Sequence, residues 1–436
     1  MPTNPQIVLT PEEIPRKWYN PLAQDIKLPP PREPEAEEFP SPDPLDGMKR
    51  FDLLGQTMIP ACLEMENSTQ SMIDIPDGIL ELYLRVCRPR PLMRALGLER
   101  YLKLPKDIKI YYKTEFFSPP GSHKLNTALA QVWYAKQHGI EGVSTETGAG
   151  QWGSALAFAC SILDMKCLVF WVRSAYNRFP QRKRMIELYG AEVHASPSQL
   201  TSSGKKLLEK DPEHPGSLGI AISEGLQTAL HSDGKLKYSL GSVLNHVLIQ
   251  QSIIGLETKA QFESIDETPT HLISCLGGGS NFGGFSLPFL PNIRKGKLDA
   301  ELIAVNTSEI QNLRGEYKYD YGDHAGMTPM LKMLTLGHEA DMPTDVPAEG
   351  LLYHAAAPII SSLTVEGIVK PAALDWPVAK EYGRLFMQKE GFIPAPESSY
   401  GIAQAIIEAK KKKEAGEPAV IGVNISGHGL LGIDSL

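Results

Sequence analysis

Apolar positions follow two periods along the chain. From about residue 108 onward, short runs of β-branched and aromatic residues alternate with longer stretches whose apolar positions recur every three to four residues. The first pattern predicts strands and the second helices. IKIYYKTEFF (108–117) reads as a strand. KLNTALAQVWYAKQHG (124–139) reads as a helix closed by Gly139. GVSTET (142–147) is the next strand, followed by a glycine-bearing turn and a helix through SALAFACSIL (154–163). KCLVFWV (166–172) is a strand, RFPQRKRMIELYG (178–190) a helix ended by Gly190, and AEVHAS (191–196) a short strand. HLISCL (271–276), ELIAVN (301–306) and AVIGVNIS (419–426) have the apolar character of buried strands. YGIAQAIIEAKKKKEAG (400–416) reads as the helix feeding the last of them. Its lysines, Lys410 to Lys413, suit a solvated helix end, where the macrodipole favours cations. This alternation predicts an α/β protein with mostly parallel sheets flanked by helices.

The first hundred residues break the pattern. Residues 28–46, LPPPREPEAEEFPSPDPLD, are rich in proline and acid, with little to bury. They read as an extended arm draped over the body or over a neighbouring subunit. Residues 47–100 look partly helical, with a strand-like piece near Arg88 to Leu92. The expected division is therefore an arm and partly helical segment over 1–100, an N-terminal α/β lobe over 101–240 and a C-terminal α/β lobe over 241–436. A chain of 436 residues with 42% apolar content has enough to build two lobes around a cleft. A net charge of −8 argues against nucleic acid as a partner. No run approaches the roughly 18 apolar residues of a membrane helix, and the N-terminus lacks a signal-peptide pattern. Cys62, Cys87, Cys160, Cys167 and Cys275 are scattered without a C-x-x-C pair. That fits reduced thiols in a cytoplasm and disfavours a zinc site, so no side-chain metal centre is expected.

Three glycine-bearing turns follow predicted strands. In PPGSHKLN (119–126), Lys124 stands at a helix start, where the dipole opposes its charge. Desolvation would lower its pKa further, toward the neutral amine that a Schiff base requires. In CLGGGSN (275–281), three glycines let backbone N–H groups converge ahead of a helix, which suits a phosphate monoester. The turn matches neither G-x-G-x-x-G nor a Walker loop. In TETGAGQWG (145–153), N–H groups at a helix start suit a carboxylate, and Glu146 at the strand end suits a general base. Singly, these are also a surface lysine, a tight connection and a solvated acid. Together, an amine, a phosphate cradle and a carboxylate cradle are what pyridoxal phosphate needs to act on an amino acid.

GSHKLN, ETGAGQWG, LGGGSN, PAPESS (394–399) and SGHG (426–429) resemble, in order and spacing, the motif set of the tryptophan synthase β chain. The long arm, the Trp after ETGAGQ and the ending SGHGLL look more like the divergent second type of that chain. The resemblance implies the two-lobed type II pyridoxal-phosphate fold and a homodimer; whether an α subunit docks is left open. It implies a β-replacement in which L-serine or O-phospho-L-serine and indole give L-tryptophan through an aminoacrylate. Lys124 is then the Schiff-base residue, within the motif that includes His123 and Asn126. His123, Gly277, Gly278, Gly279, Ser280 and Asn281 would hold the phosphate. Thr147, Gly148, Ala149, Gly150 and Gln151 would bind the substrate carboxylate. Glu146 would assist indole attack, Glu397 would lie near the ring, and Ser426 would hydrogen-bond the ring nitrogen. A serine there leaves that nitrogen unprotonated, which favours elimination of a β substituent. The family also uses a monovalent cation bound through backbone carbonyls.

Two departures bear on the substrate. Common β chains carry an aspartate, and the second type an arginine, at the position matching Leu352 in GLLYHAAAP (350–358). Leucine offers the β substituent no hydrogen bond. Tyr353 and His354 are the nearest polar replacements. Trp152 stands in place of the usual histidine and reshapes the edge of the carboxylate loop, while His428 is expected near the ring. The competing readings are β-replacement with another nucleophile, a serine/threonine deaminase, a dinucleotide-dependent oxidoreductase and a non-catalytic regulatory subunit. The oxidoreductase lacks its glycine spacing. The last is disfavoured by the intact Lys124, Glu146, Glu397 and Ser426.

Overall fold

The computed structural model describes residues 4–23 and 26–435. Two sheets carry the fold. The smaller runs Glu192–Ser196, Lys166–Val172, Gly142–Thr147, Leu236–Tyr238, all parallel. The larger runs Gln6–Ile7, Leu92–Arg94, Ile108–Lys113, Ala419–Asn424, His271–Cys275, Glu301–Thr307, Val369–Leu374. Its first two pairings, along this order, are antiparallel and the other four parallel. Helices cover the sheets, as parallel strands buried on both faces require. Helix Pro396–Ala415 packs on the large sheet and ends on Gly416 at φ 68°, a left-handed position that glycine adopts freely.

The sheets divide the chain differently from the boundaries expected at residues 100 and 240. Strand Ile108–Lys113 sits in the large sheet, in register with Ala419–Asn424. The small sheet occupies only residues between 142 and 238. A parallel strand takes its neighbour from wherever a crossover returns the chain, so adjacency in sequence does not set sheet membership. The arm lies on its own chain. Arg32 and Met330 exchange backbone hydrogen bonds at 3.1 and 2.9 Å. The Arg32 guanidinium grips Glu38 and stacks on Tyr319, and Arg50 holds Asp43 at 2.7 Å.

A buried ionic cluster underlies the Lys124 turn. Arg88 pairs with Glu115 and Glu257, each at 3.0 Å, and donates to Asn126 Oδ1 at 2.7 Å. Lys113 adds a 2.7 Å pair to Glu257, and the ion-paired side chains are fully buried. Burial pushes the Glu115 carboxyl up, but Arg88, Arg90 and Lys113 outweigh it and hold it at about 2. Removing one partner of such a pair leaves uncompensated buried charge. Arg88→Met is expected to lower unfolding free energy by about 3–5 kcal/mol, read from urea denaturation at neutral pH.

Candidate active site

The three glycine-bearing turns meet in one cleft of about 800 Å³ lined by residues that follow strands of both sheets. Lys124 precedes helix Leu125–Gln137. Glu146 and Thr147 end strand Gly142–Thr147, and Gln151 opens helix Gln151–Ile162. The glycine loop follows strand His271–Cys275, and Ser426 lies just beyond strand Ala419–Asn424. These are the carboxyl ends of parallel strands, where open α/β sheets collect polar groups.

The Lys124 amine donates to Gly241 O at 2.7 Å and to Ser280 Oγ at 3.0 Å. Burial pulls its pKa down to about 8, against the opposing pull of Glu146, Cys275 and Glu397. His123 Nε2 lies 3.0 Å from the same Ser280 Oγ. Burial and the neighbouring Lys124 charge lower the imidazole to about 3, so it is neutral. Gly279 is at φ 122°, and a Cβ there would sit 2.6 Å from Ile360. A side chain is thus barred by both conformation and contact. Among the described residues, the N–H groups of Gly277, Gly278 and Gly279 have no protein acceptor. An open row of donors beside a buried amine fits a phosphorylated carbonyl cofactor.

Glu146 is almost fully buried and accepts a short hydrogen bond from Tyr238. Burial raises its pKa to about 7; the Tyr238 hydrogen bond and the Lys124 charge oppose the rise. Trp152 Nε1 donates to Thr145 Oγ1 at 2.6 Å, and Thr145 in turn donates to Ser239 O at 2.5 Å. The Trp152 ring packs against Gly241, where a Cβ would approach it to 2.3 Å. Thr147, Gly148, Ala149 and Gln151 line the cleft; Gly150 stands behind them at φ 85°, as the turn before the helix.

At the far end, Ser426 Oγ is 2.9 Å from Ser398 Oγ and 3.7 Å from Cys275 Sγ. Burial pushes the Cys275 thiol up to about 12, so it stays neutral. A heterocyclic nitrogen placed there would meet hydroxyls and a thiol. Glu397 accepts from Gln151 Nε2 and from Gly350 N, both at 3.0 Å.

Several expected placements differ. Asn126 does not line the cleft; it donates to Glu115 and Gln251 inside the ionic cluster. Helical geometry accounts for this, since residues two apart do not share a face. Leu352 faces an adjoining hollow with Gly148, Leu218 and Glu349. Tyr353 lines the cleft, but its hydroxyl is committed to Gly322 O at 2.8 Å. His354 turns away to Tyr321 O. His428 packs against Gly121 outside the cleft. Backbone carbonyls of Gly277, Tyr353 and Ala355 converge on Asn312 Nδ2 at 3.0, 3.1 and 2.9 Å. An amide donor serves these carbonyls, so this cluster does not fit a cation as the chain stands. Among the described residues, no group of His, Cys, Asp or Glu side chains could hold a metal ion.

Sequence reasoning missed Tyr238 and Glu349. Tyr238 ends a three-residue strand with no motif around it. Glu349 left a signal that went unused: an acid three residues before Leu352 in the same loop. A second, apolar cavity of about 1140 Å³ shares Ile222, Leu240, Val243, Tyr353 with the cleft. Phe51, Leu54, Met58 and Leu226 line its far side.

A buried near-neutral amine, an N–H cradle and a neutral hydroxyl end define an enzyme of the type II pyridoxal-phosphate class. The family model described as "Pyridoxal-phosphate dependent enzyme" matches residues 84–427. Solved structures of a serine ammonia-lyase from Rhizomucor miehei (TM-score 0.56, 15% identity, 78% of this chain and 93% of that chain) and a threonine deaminase from Solanum lycopersicum (TM-score 0.58, 15%, 93% and 93%) share the fold. The tryptophan synthase beta chain 2 of Methanothermobacter thermautotrophicus is 48% identical, covering 98% of this chain and 96% of its own. That of Thermotoga maritima is 49% identical, covering 97% of each. The chain belongs to the tryptophan synthase β chain family.

Proposed function

We infer that the protein uses pyridoxal 5'-phosphate to join a serine-type donor to indole, giving L-tryptophan. The observation that carries this reading is the position of Glu146. It is a buried acid near neutrality, facing Lys124 where the polar cleft adjoins a large apolar cavity. A deaminase needs only water, whereas an apolar aromatic nucleophile needs a dry approach and a base for its proton. When bound, the cofactor supplies an electron sink for negative charge at the donor's α carbon.

The residues divide the remaining work. Lys124 holds the cofactor and moves the α proton, which an amine with a pKa near 8 can both accept and return. Ser280, neutral His123 and the N–H groups of Gly277 to Gly279, with Asn281 alongside, receive the phosphate. Thr147, Gly148, Ala149 and Gln151 orient the donor carboxylate at a helix N-terminus. Glu146 takes the proton released from indole. Ser426, beside Ser398 and neutral Cys275, offers the ring nitrogen no anion and so leaves it unprotonated. Trp152 fixes the strand end that carries Glu146 through its bond to Thr145.

The family resemblance supports a homodimer, and the five free cysteines support a cytoplasmic setting. No described helix is long and apolar enough to cross a membrane. The test is turnover of the cofactor-loaded protein with L-serine and indole. Tryptophan as main product is the expected result; pyruvate release unaffected by indole would replace the reading with a deaminase.

A further inference from the structure

The cleft holds three carboxylates, Glu146, Glu349 and Glu397. Glu146 accepts from Tyr238 on one oxygen and is reserved, on the reading above, for the proton of indole; Glu397 accepts on both oxygens, from Gln151 and Gly350. Glu349 is different. It is 6% exposed, and Arg178 Nη1 lies 2.7 Å from its Oε1. That approach is off the hydrogen-bonding direction, so the buried oxygen keeps its acceptor capacity. The Glu349 carbonyl flanks the turn at Gly148, where a Cβ would lie 3.6 Å from it. The residue lines both the cleft and the adjoining hollow that holds Leu352.

Leu352 cannot hydrogen-bond a hydroxyl, and the Tyr353 hydroxyl gives its hydrogen to Gly322 O, leaving only a weak neutral acceptor. With Glu146 reserved for the nucleophile, Glu349 Oε1 is a buried carboxylate oxygen left open to the donor. We propose that Glu349 recognises the β substituent of the donor: its carboxylate accepts the hydroxyl hydrogen of L-serine and repels a phosphate ester, making unmodified serine the preferred donor. The proposal rests on the reading above and names its donor. A phosphate dianion would face a buried carboxylate whose two neighbouring arginines are already engaged, Arg178 with Glu349 itself and Arg182 with Ala149 O, and like charges in a desolvated site repel strongly.

The charged groups facing Glu349 are Arg178, Arg182 and Glu397. Burial lifts its pKa to about 7; Arg178 and Arg182 lower it, and Glu397 raises it. Above that pH the carboxylate is a full acceptor, and below it the group carries its own proton. The KM for serine should therefore rise as pH falls through about 7.

The test compares cofactor-loaded wild type, Glu349→Ala and Glu349→Asp with L-serine and O-phospho-L-serine. Tryptophan is followed with indole present, and pyruvate without it. Wild type is expected to favour serine. In Glu349→Ala the serine KM should rise about 30-fold, the loss of a hydrogen bond to a charged acceptor, with kcat changing less. Phosphoserine use should improve, because the repelling carboxylate is gone and Arg178 loses its only carboxylate partner among the described residues. The acid rise in serine KM should vanish, and Glu349→Asp should restore part of the affinity. Wild type preferring phosphoserine, or an unchanged serine KM in Glu349→Ala, would overturn the proposal. Pyruvate release reads donor preference even if no tryptophan forms, an outcome that would sink only the indole reading. Wild-type preference and its pH profile serve even if the alanine variant does not fold.

Discussion

Lys124→Ala is expected to cut turnover by roughly four orders of magnitude or more, because both the covalent anchor and the proton carrier go with one side chain. On the proposed reading the amine serves both tasks. It projects into the cleft from a helix start, and Gly241 O and Ser280 Oγ hold it at 2.7 and 3.0 Å. Burial brings its pKa to about 8, so the neutral form is well populated at cellular pH. Lys124→Arg should not rescue it, since a guanidinium stays protonated. The check is borohydride reduction of cofactor-loaded protein followed by peptide mass spectrometry. Wild type should carry the cofactor mass on the peptide containing Lys124, and the alanine variant on none. Cofactor fixed to another lysine in the variant would show that the anchor had been misplaced.

Glu146→Gln should separate the two halves of the reaction. Release of the β substituent from serine should persist, while indole addition falls by about a hundredfold to ten-thousandfold. Rapid-quench assays with and without indole would resolve the two steps. A variant defective before indole enters would give Glu146 a different role. The pH dependence has a definite sign. Glu146 must be ionised to take a proton, so indole addition should decline as pH falls below about 7. Tyr238 donates to the carboxylate and lowers its pKa. Tyr238→Phe should therefore move the acid limb upward, and an unmoved limb would mean that another group titrates.

Much of this site was legible in the chain itself, for a physical reason. Strand ends followed by small residues at helix starts are local patterns, and Lys124, Glu146 and the glycine loop are recognisable in such turns, whereas His123, Glu397 and Ser426 were indicated only by the family motif set. What was not legible depends on contacts between distant segments. Strand Val369–Leu374 escaped notice because Pro371 argues against a strand, yet it lies at the sheet edge, where a missing N–H is tolerated. Asn126 shares a motif with Lys124 but turns into the Arg88 cluster, and nothing in KLN foretells Glu115 and Glu257 beneath it. Leu352 was expected to face the β substituent, but the loop directs it into the neighbouring hollow. Tyr238 reaches Glu146 only because strand Leu236–Tyr238 docks beside Gly142–Thr147.

The strand Ala419–Asn424 lies in the middle of the large sheet, between segments that begin at residues 108 and 271. The piece that joins the two halves of that sheet thus follows both of its neighbours in the chain, by about 150 and 310 residues. Until it inserts, Ile108–Lys113 and His271–Cys275 expose the edges it will cover, and Ser426, which follows it, cannot reach Ser398 and Cys275. A nascent or C-terminally clipped chain can own the lysine, the acid and the glycine loop and still lack an assembled centre. Reactive chemistry is thereby deferred until residues 419–426 have emerged and inserted, and the long sequence separation predicts slow closure of this sheet.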